Sequence, residues 1–201
     1  MVSIHVAGNL SGTLNAAWAA AQMLPEPSLV EVIDSGQVSM GMGWAVIEAA
    51  KLAQMGASPA EISRAVRAML PRLRASAMID TLENLYKGGR ISQVTAALGT
   101  ALQIKPLITI QDGKVEIVAR VRTRSRALKR LEALVRNWGR LTEVTVLHAG
   151  PQKRAEVLAD LLQDMVPDRR ITIGPAGSAL GTHLGLGAVG VCGLVVAEDG
   201  K

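Results

Sequence analysis

An α/β protein in two parts is what the sequence predicts, on three observations. Short apolar runs alternate with segments of helical periodicity through the first 74 residues, as in a parallel layer of strands joined by helices. Past residue 75, Asp112-Gly113 separates two strand-like runs, which marks an antiparallel hairpin and so a mixed sheet. Formal charge also changes sign: residues 1–63 hold one basic and five acidic residues (net −4), and the remainder 21 basic and 12 acidic (net +9). The predicted division is residues 1–74, a partial parallel α/β layer, and residues 75–201, an α/β domain with a mixed sheet.

Each element has a local reason. Val2–Val6 reads as a strand, and Ser11 N-caps a helix with Leu14, Ala17, Trp18 and Ala21 on one face. Pro25 and Pro27 end that helix, and Leu29–Ile33 is a second strand running into the turn at Asp34-Ser35-Gly36. A helix over Ser39–Gln54 closes at Gly56. Ser58-Pro59-Ala60-Glu61 combines a cap, a first-turn proline and a capping box, with Ile62, Ala65, Val66 and Met69 at helical spacing behind it. Ala75–Thr81 is a strand, followed by a short helix into Gly88-Gly89 and another over Ser92–Leu102. Strands Lys105–Ile110 and Val115–Val121 flank the Asp-Gly turn, and a helix over Arg126–Trp138 turns Leu128, Leu131, Leu134 and Val135 inward. Val144–Leu147 is a strand, and Pro151 opens a helix with Leu158, Leu161, Leu162 and Met165 on one face. Strands at Arg170–Ile173 and Val189–Val196 complete the set.

Composition narrows the function. Hydrophobic residues are 49% and aromatics 2%, with no Phe, so the interior is aliphatic. That suits a flexible alkyl ligand as well as an ordinary core, and nucleic acid is a weaker option because stacking aromatics are almost absent. The lone Cys192 and the absence of a basic leader predict a cytoplasmic protein. No run reaches the roughly 18 apolar residues of a membrane span. His5, His148, His183 and Cys192 show no zinc spacing, so no metal is expected. Gly185–Gly190 matches G-x-G-x-x-G but runs into a strand rather than opening a helix, and it is set aside as a dinucleotide site.

Two glycine-rich loops stand out, Lys87–Ser92 carrying Arg90 and Gly181–Gly187 carrying His183. Backbone N–H groups of such loops, with Arg or His beside them, suit an anionic head group. Gly8, Ser11, Gly12 and Thr13 sit at a helix N-terminus, which also favours an anion. Arg120, Arg122, Arg124 and Arg126 alternate, either as a solvated basic edge or as a docking patch. His5 and His148 read as packed or strand-end residues, and Asp34-Ser35 as a turn former or a ligand group.

Several motifs together carry a resemblance. They are Asn9-Leu10-Ser11-Gly12-Thr13, Val32-Ile33-Asp34-Ser35, Thr81-Leu82-Glu83 through Gly88-Gly89-Arg90-Ile91-Ser92, Ile104-Lys105-Pro106, Val121-Arg122, His148-Ala149 and Gly181-Thr182-His183-x-Gly-x-Gly. The chain resembles the DegV family of bacterial fatty-acid-binding proteins over nearly its whole length. The resemblance implies the two-domain DegV-like (EDD) fold with a long-chain fatty acid held between the domains. It implies a non-catalytic role in phospholipid synthesis, with the acyl carboxylate presented to a separate fatty acid kinase that forms the acyl phosphate. The bound acid is the ligand and no cofactor is implied; transient contact with a membrane surface is compatible with such cargo. By this likeness Arg90, Thr182 and His183 belong at the carboxylate or the approach of the kinase, and Arg122 with Arg124 to the docking surface.

Three departures accompany the likeness. Relatives have a further N-terminal segment bearing a Thr-Ser loop that touches the carboxylate, and this sequence starts after it. Ala7 and Gly8 stand where relatives carry Ser-Ser, and Leu184 and Leu186 replace Thr-or-Val and Pro. The alternative expectation is a lipid-free interaction module, or an inactive truncated remnant, with a basic docking surface. A phosphate-ester enzyme is least supported, since no base-partnered nucleophile is visible.

Overall fold

The structure, a computed structural model, describes residues 1–91 and 104–197. The helix expected over Ser92–Leu102 lies outside the described residues.

The first part contains β1 (Val2–His5), α1 (Thr13–Gln22), β2 (Glu31–Asp34), α2 (Ser39–Gln54) and α3 (Pro59–Met69). β1 and β2 pair in parallel, from Val2 opposite Glu31 to His5 opposite Asp34. α3 begins where the capping signal puts it: Ser58 Oγ accepts from Glu61 N–H, and the Glu61 carboxylate accepts from Ser58 N–H at 2.8 Å. Ile62, Val66 and Met69 of α3 bury with Ile33 of β2 and Ala45 of α2.

α1 differs from expectation in two ways. It starts at Thr13 with Gly12 at the cap position, and Ser11 Oγ accepts from Thr13 N–H at 3.3 Å. Its Trp18 is 59% exposed rather than inward. A two-stranded sheet is too narrow to cover a wide helical stripe, so only Ala21 is buried, with Leu14 and Ala17 half-buried.

The remaining elements are β3 (Leu73–Met78), α4 (Glu83–Lys87), β4 (Lys105–Gln111), β5 (Lys114–Val121), α5 (Arg124–Arg136), β6 (Leu141–His148), α6 (Lys153–Leu162), β7 (Thr172–Pro175), α7 (Ser178–Leu184) and β8 (Val189–Val195). The strands form one six-stranded sheet in the order β5-β4-β3-β8-β6-β7. Only β6 and β7 are parallel; the other neighbours are antiparallel. The Asp-Gly turn between β4 and β5 has positive φ at both residues, 49° and 71°, the geometry that matches strand twist.

Period-two alternation splits this sheet into two faces. Met78, Leu107, Val146, Val189 and Val191 pack with Leu131 and Val135 of α5 and Leu158 and Leu162 of α6. Leu161, expected on the same face as Leu158, is 38% exposed because α6 docks through Ala155, Leu158, Ala159 and Leu162. α5 begins two residues earlier than read, because Thr123 Oγ1 accepts from Arg126 N–H. The alternation of Arg120 to Arg126 therefore breaks at Thr123, and these side chains do not share one extended face. The opposite sheet face carries Ala75, Ala77, Ile108, Ile110, Leu147 and Cys192, and it floors a cavity.

The candidate acyl cavity and its mouth

The cavity has a volume of about 490 Å³, within the range typical of small-molecule sites. Its floor is the aliphatic sheet face. Leu85 of α4, Leu184 of α7, Val6 and Leu10 before α1, and Val38 before α2 complete the walls. Cys192 is buried, and desolvation pushes its thiol up to about 11, so it stays neutral at pH 7 and is one more apolar wall group.

Ser11, Arg90 and His183 meet at one part of the wall; Ser76, Thr109, His148 and Ser178 line the cavity as well. Arg90 follows α4 through the turn Gly88-Gly89, and its Nε donates to Leu10 O at 3.0 Å. Its Nη1 donates to Gly88 O. Arg90 thereby ties the loop before α1 to the loop after α4. His183, in the last turn of α7, rests on that same loop: a Cβ at Gly88 would stand 2.7 Å from His183 Nδ1. A side chain at residue 88 would push the imidazole away, so glycine here lets the ring sit against the turn. Ser11 lines the wall next to Leu10, its Oγ 3.2 Å from Thr13 Oγ1.

Ser11, Arg90 and His183 are thus brought to one wall of the cavity. Gly8, Gly12, Thr13 and Thr182 are not on that wall. Gly8 N–H points at the Asp34 carboxylate, 3.2 Å from both oxygens, and Asp34 also accepts from Gly36 N–H at 2.8 Å. The Asp34 turn is thus the partner of the loop at residue 8. Gly12 and Thr13 are exposed. Thr182 faces an adjoining open cleft and donates its hydroxyl to Ser178 O at 2.9 Å.

The two expected docking residues differ from each other. Arg122 is exposed just past β5. Arg124 forks onto Asp80, with Nε 3.0 Å and Nη2 2.5 Å from its two oxygens. Lys105 Nζ lies 3.3 Å from the same carboxylate. The hydrogen bond from Arg124, reinforced by Lys105, holds the Asp80 carboxyl below the usual range against the opposing effect of burial. Asp80 was missed from sequence; its placement just past the end of β3 was the available signal.

His148, read as a strand-end residue, lines the cavity from the end of β6. Its Nδ1 donates to Gly150 O at 2.7 Å, which leaves Nε2 as the other ring position. Among the described residues there is no cluster of ligands for a metal ion and no helix long and apolar enough to cross a membrane.

Fold and site together define an α/β protein with a largely aliphatic cavity on one face of a mixed sheet, and with Arg90 and His183 on one of its walls. The family model described as uncharacterised protein, DegV family, matches residues 1–195, and the chain belongs to the DegV family. It is 37% identical over 194 residues to a DegV domain-containing protein of Streptomyces coelicolor, covering 95% of this chain and 68% of that one. A Bacillus subtilis structure, described as DegV, a fatty acid binding protein, superposes with a TM-score of 0.83 at 30% identity, over 97% of this chain and 70% of that one. The Streptococcus pneumoniae fatty acid kinase B3 protein, solved loaded with linoleic acid, shares the fold (TM-score 0.87, 19% identity, 97% and 71% covered).

Proposed function

We propose that this chain binds a long-chain fatty acid in the cavity, with the carboxylate at the wall of Ser11, Arg90 and His183, and presents it to a fatty acid kinase. The observation that carries the reading is the largely aliphatic cavity with Arg90 and His183, both set against the Gly88 turn, on one wall. Burying an alkyl chain is favourable by about 0.8 kcal/mol per methylene, on the order of 12 kcal/mol for about fifteen before ordering costs. An unpaired carboxylate would give back several kcal/mol. The Arg90 guanidinium charge and the His183 imidazole on one wall of a largely aliphatic space answer that opposition. The fatty-acid-binding description of the Bacillus subtilis relative supports the ligand class. On this reading residues 1–74 supply Val6, Leu10, Ser11 and Val38 as one side of the site, and residues 75–201 supply the floor, Arg90 and His183. The protein acts as carrier, and the kinase as catalyst.

Native mass spectrometry after gentle purification tests this directly. A co-purified mass matching a long-chain acid is expected. Repeatedly lipid-free protein that takes up no labelled fatty acid overturns the reading. A second reading, an interaction module without lipid, is favoured by one observation: Gly8 N–H is committed to Asp34 and so is not free for a head group. It predicts kinase association by protein that binds no fatty acid.

A further inference from the structure

The first part of the chain carries an open sheet edge that the cavity does not use. Its sheet has two strands, β1 and β2, and they run parallel. Parallel strands normally lie inside wider sheets covered on both faces, and two strands alone are marginal in water. Glu31 N–H donates to Met1 O and Ser35 N–H to His5 O. By alternation the backbone groups of Val2 and Ile4 point away from β2, and among the described residues no strand meets them. The far edge of β2 differs, since Arg67 Nη2 reaches Val32 O there at 3.4 Å. An apolar surface accompanies the open edge. α1 lies against both strands and buries only Ala21. Trp18 projects from it, and Met23, 86% exposed, and Leu24 follow its end. Exposed Leu29 precedes β2, and Met1, 72% exposed, leads into β1 with its N donating to Leu29 O at 2.6 Å. These side chains present on the order of 600 Å², the size of the largest apolar patch on an ordinary monomer. Residues 1–25 contain no Asp, Glu, Lys or Arg.

We propose that this surface binds a second copy of the chain: two β1 edges pair antiparallel about a two-fold axis, forming a four-stranded sheet with the two uncharged α1 helices side by side on one face. Three observations favour a second copy. An unpaired strand edge is its own complement when the second strand runs antiparallel. A surface without formal charge offers nothing to a charged protein, and helices that lie on anionic bilayers carry Lys or Arg, which α1 lacks. The net charge of +5 arises wholly beyond residue 25, so two copies meet here without opposing like charges. With the strand edges added, the patch approaches the roughly 800 Å² per partner of a standard interface. The contact is isologous and closes on itself, which gives a dimer and not a filament. It is independent of what the cavity holds.

Sedimentation velocity over a concentration series tests this for the wild type, Trp18→Glu and Met23→Glu. Both side chains bury little within one copy, so both variants should keep the wild-type far-ultraviolet circular dichroism. The wild type should sediment at twice 21.1 kDa. Trp18→Glu, which sets like charges across the two-fold axis, should raise the dissociation constant by about 30-fold or more, the scale of a central hot spot. Hydrogen exchange followed by NMR reads the strand edge itself. The Ile4 amide should gain protection as concentration rises, and the Ser35 amide, bonded to His5 O within one copy, should gain less. A wild type that stays monomeric at every concentration overturns the inference. A dimer that neither glutamate weakens, with Ile4 exchanging freely, also overturns it, because the contact then lies elsewhere. A monomer that binds phosphatidylglycerol vesicles, and loses them in Trp18→Glu, overturns it and gives the surface to a bilayer.

Discussion

At the scale of single residues, neighbouring cations do different work. Arg90 reaches into the wall of the cavity and bonds two backbone carbonyls, whereas Lys87 is 71% exposed and pairs with Glu83 on its own helix. Replacing Arg90 by Ala is expected to weaken fatty acid binding by about 10-fold or more, and Lys87→Ala by less than about 2-fold, in a displacement titration. Equal losses would mean that charge alone, not the fork, matters. Asp80 gives a pH signature. Its carboxyl is held low by Arg124 and Lys105 in the folded state, so its stabilisation is complete above the unfolded value of about 3.9 and is lost as pH falls through the folded value. The thermal stability of wild type over Asp80→Asn should be greatest near neutrality and vanish in strong acid. A difference that grows on acidification would contradict this assignment.

At the scale of elements, the capping box of α3 is the cleanest local determinant. Ser58→Ala should cost about 1 kcal/mol, a fall of roughly 2–4 °C in melting temperature for a protein of this size, and an unchanged melt would deny the box a role. Such local chemistry is what made much of the fold readable. Ser58 and Glu61 fixed the start of α3, and Asp112-Gly113 fixed the β4–β5 hairpin, because both signals act within four residues. Trp18 and Leu161 were misjudged because periodicity names a helix face without saying how much surface is there to cover it. The site divides in the same way. The glycine turn that brings Arg90 to the cavity wall was legible, but the expected loop at His183 is in its first part the end of α7, and the fork of Arg124 onto Asp80 joins residues 44 positions apart and left no mark in spacing. Nor could sequence show that Asp34 occupies the N–H of Gly8.

At the scale of the molecule, the cavity makes its own reporter. Cys192 is the only cysteine, and it is buried on the cavity floor with its thiol neutral. A thiol-specific disulfide reagent at pH 8 should react with it only as fast as the protein opens, since the thiolate is the nucleophile. Bound oleate should slow the reaction further by mass action. Rapid modification of the folded protein, unaffected by oleate, would place this side chain elsewhere.

β3 links all of these regions. Leu73 buries with the α2–α3 layer, Ala75 beside Val38 and Met40, Ala77 beside Leu85 of α4, and Met78 under α5. Six consecutive residues thus act as the keystone of four separate hydrophobic assemblies. None of those assemblies can come apart without loosening a strand that the other three share, so unfolding should be a single concerted event, with the amides of β3 the last in the protein to trade their hydrogens for deuterium.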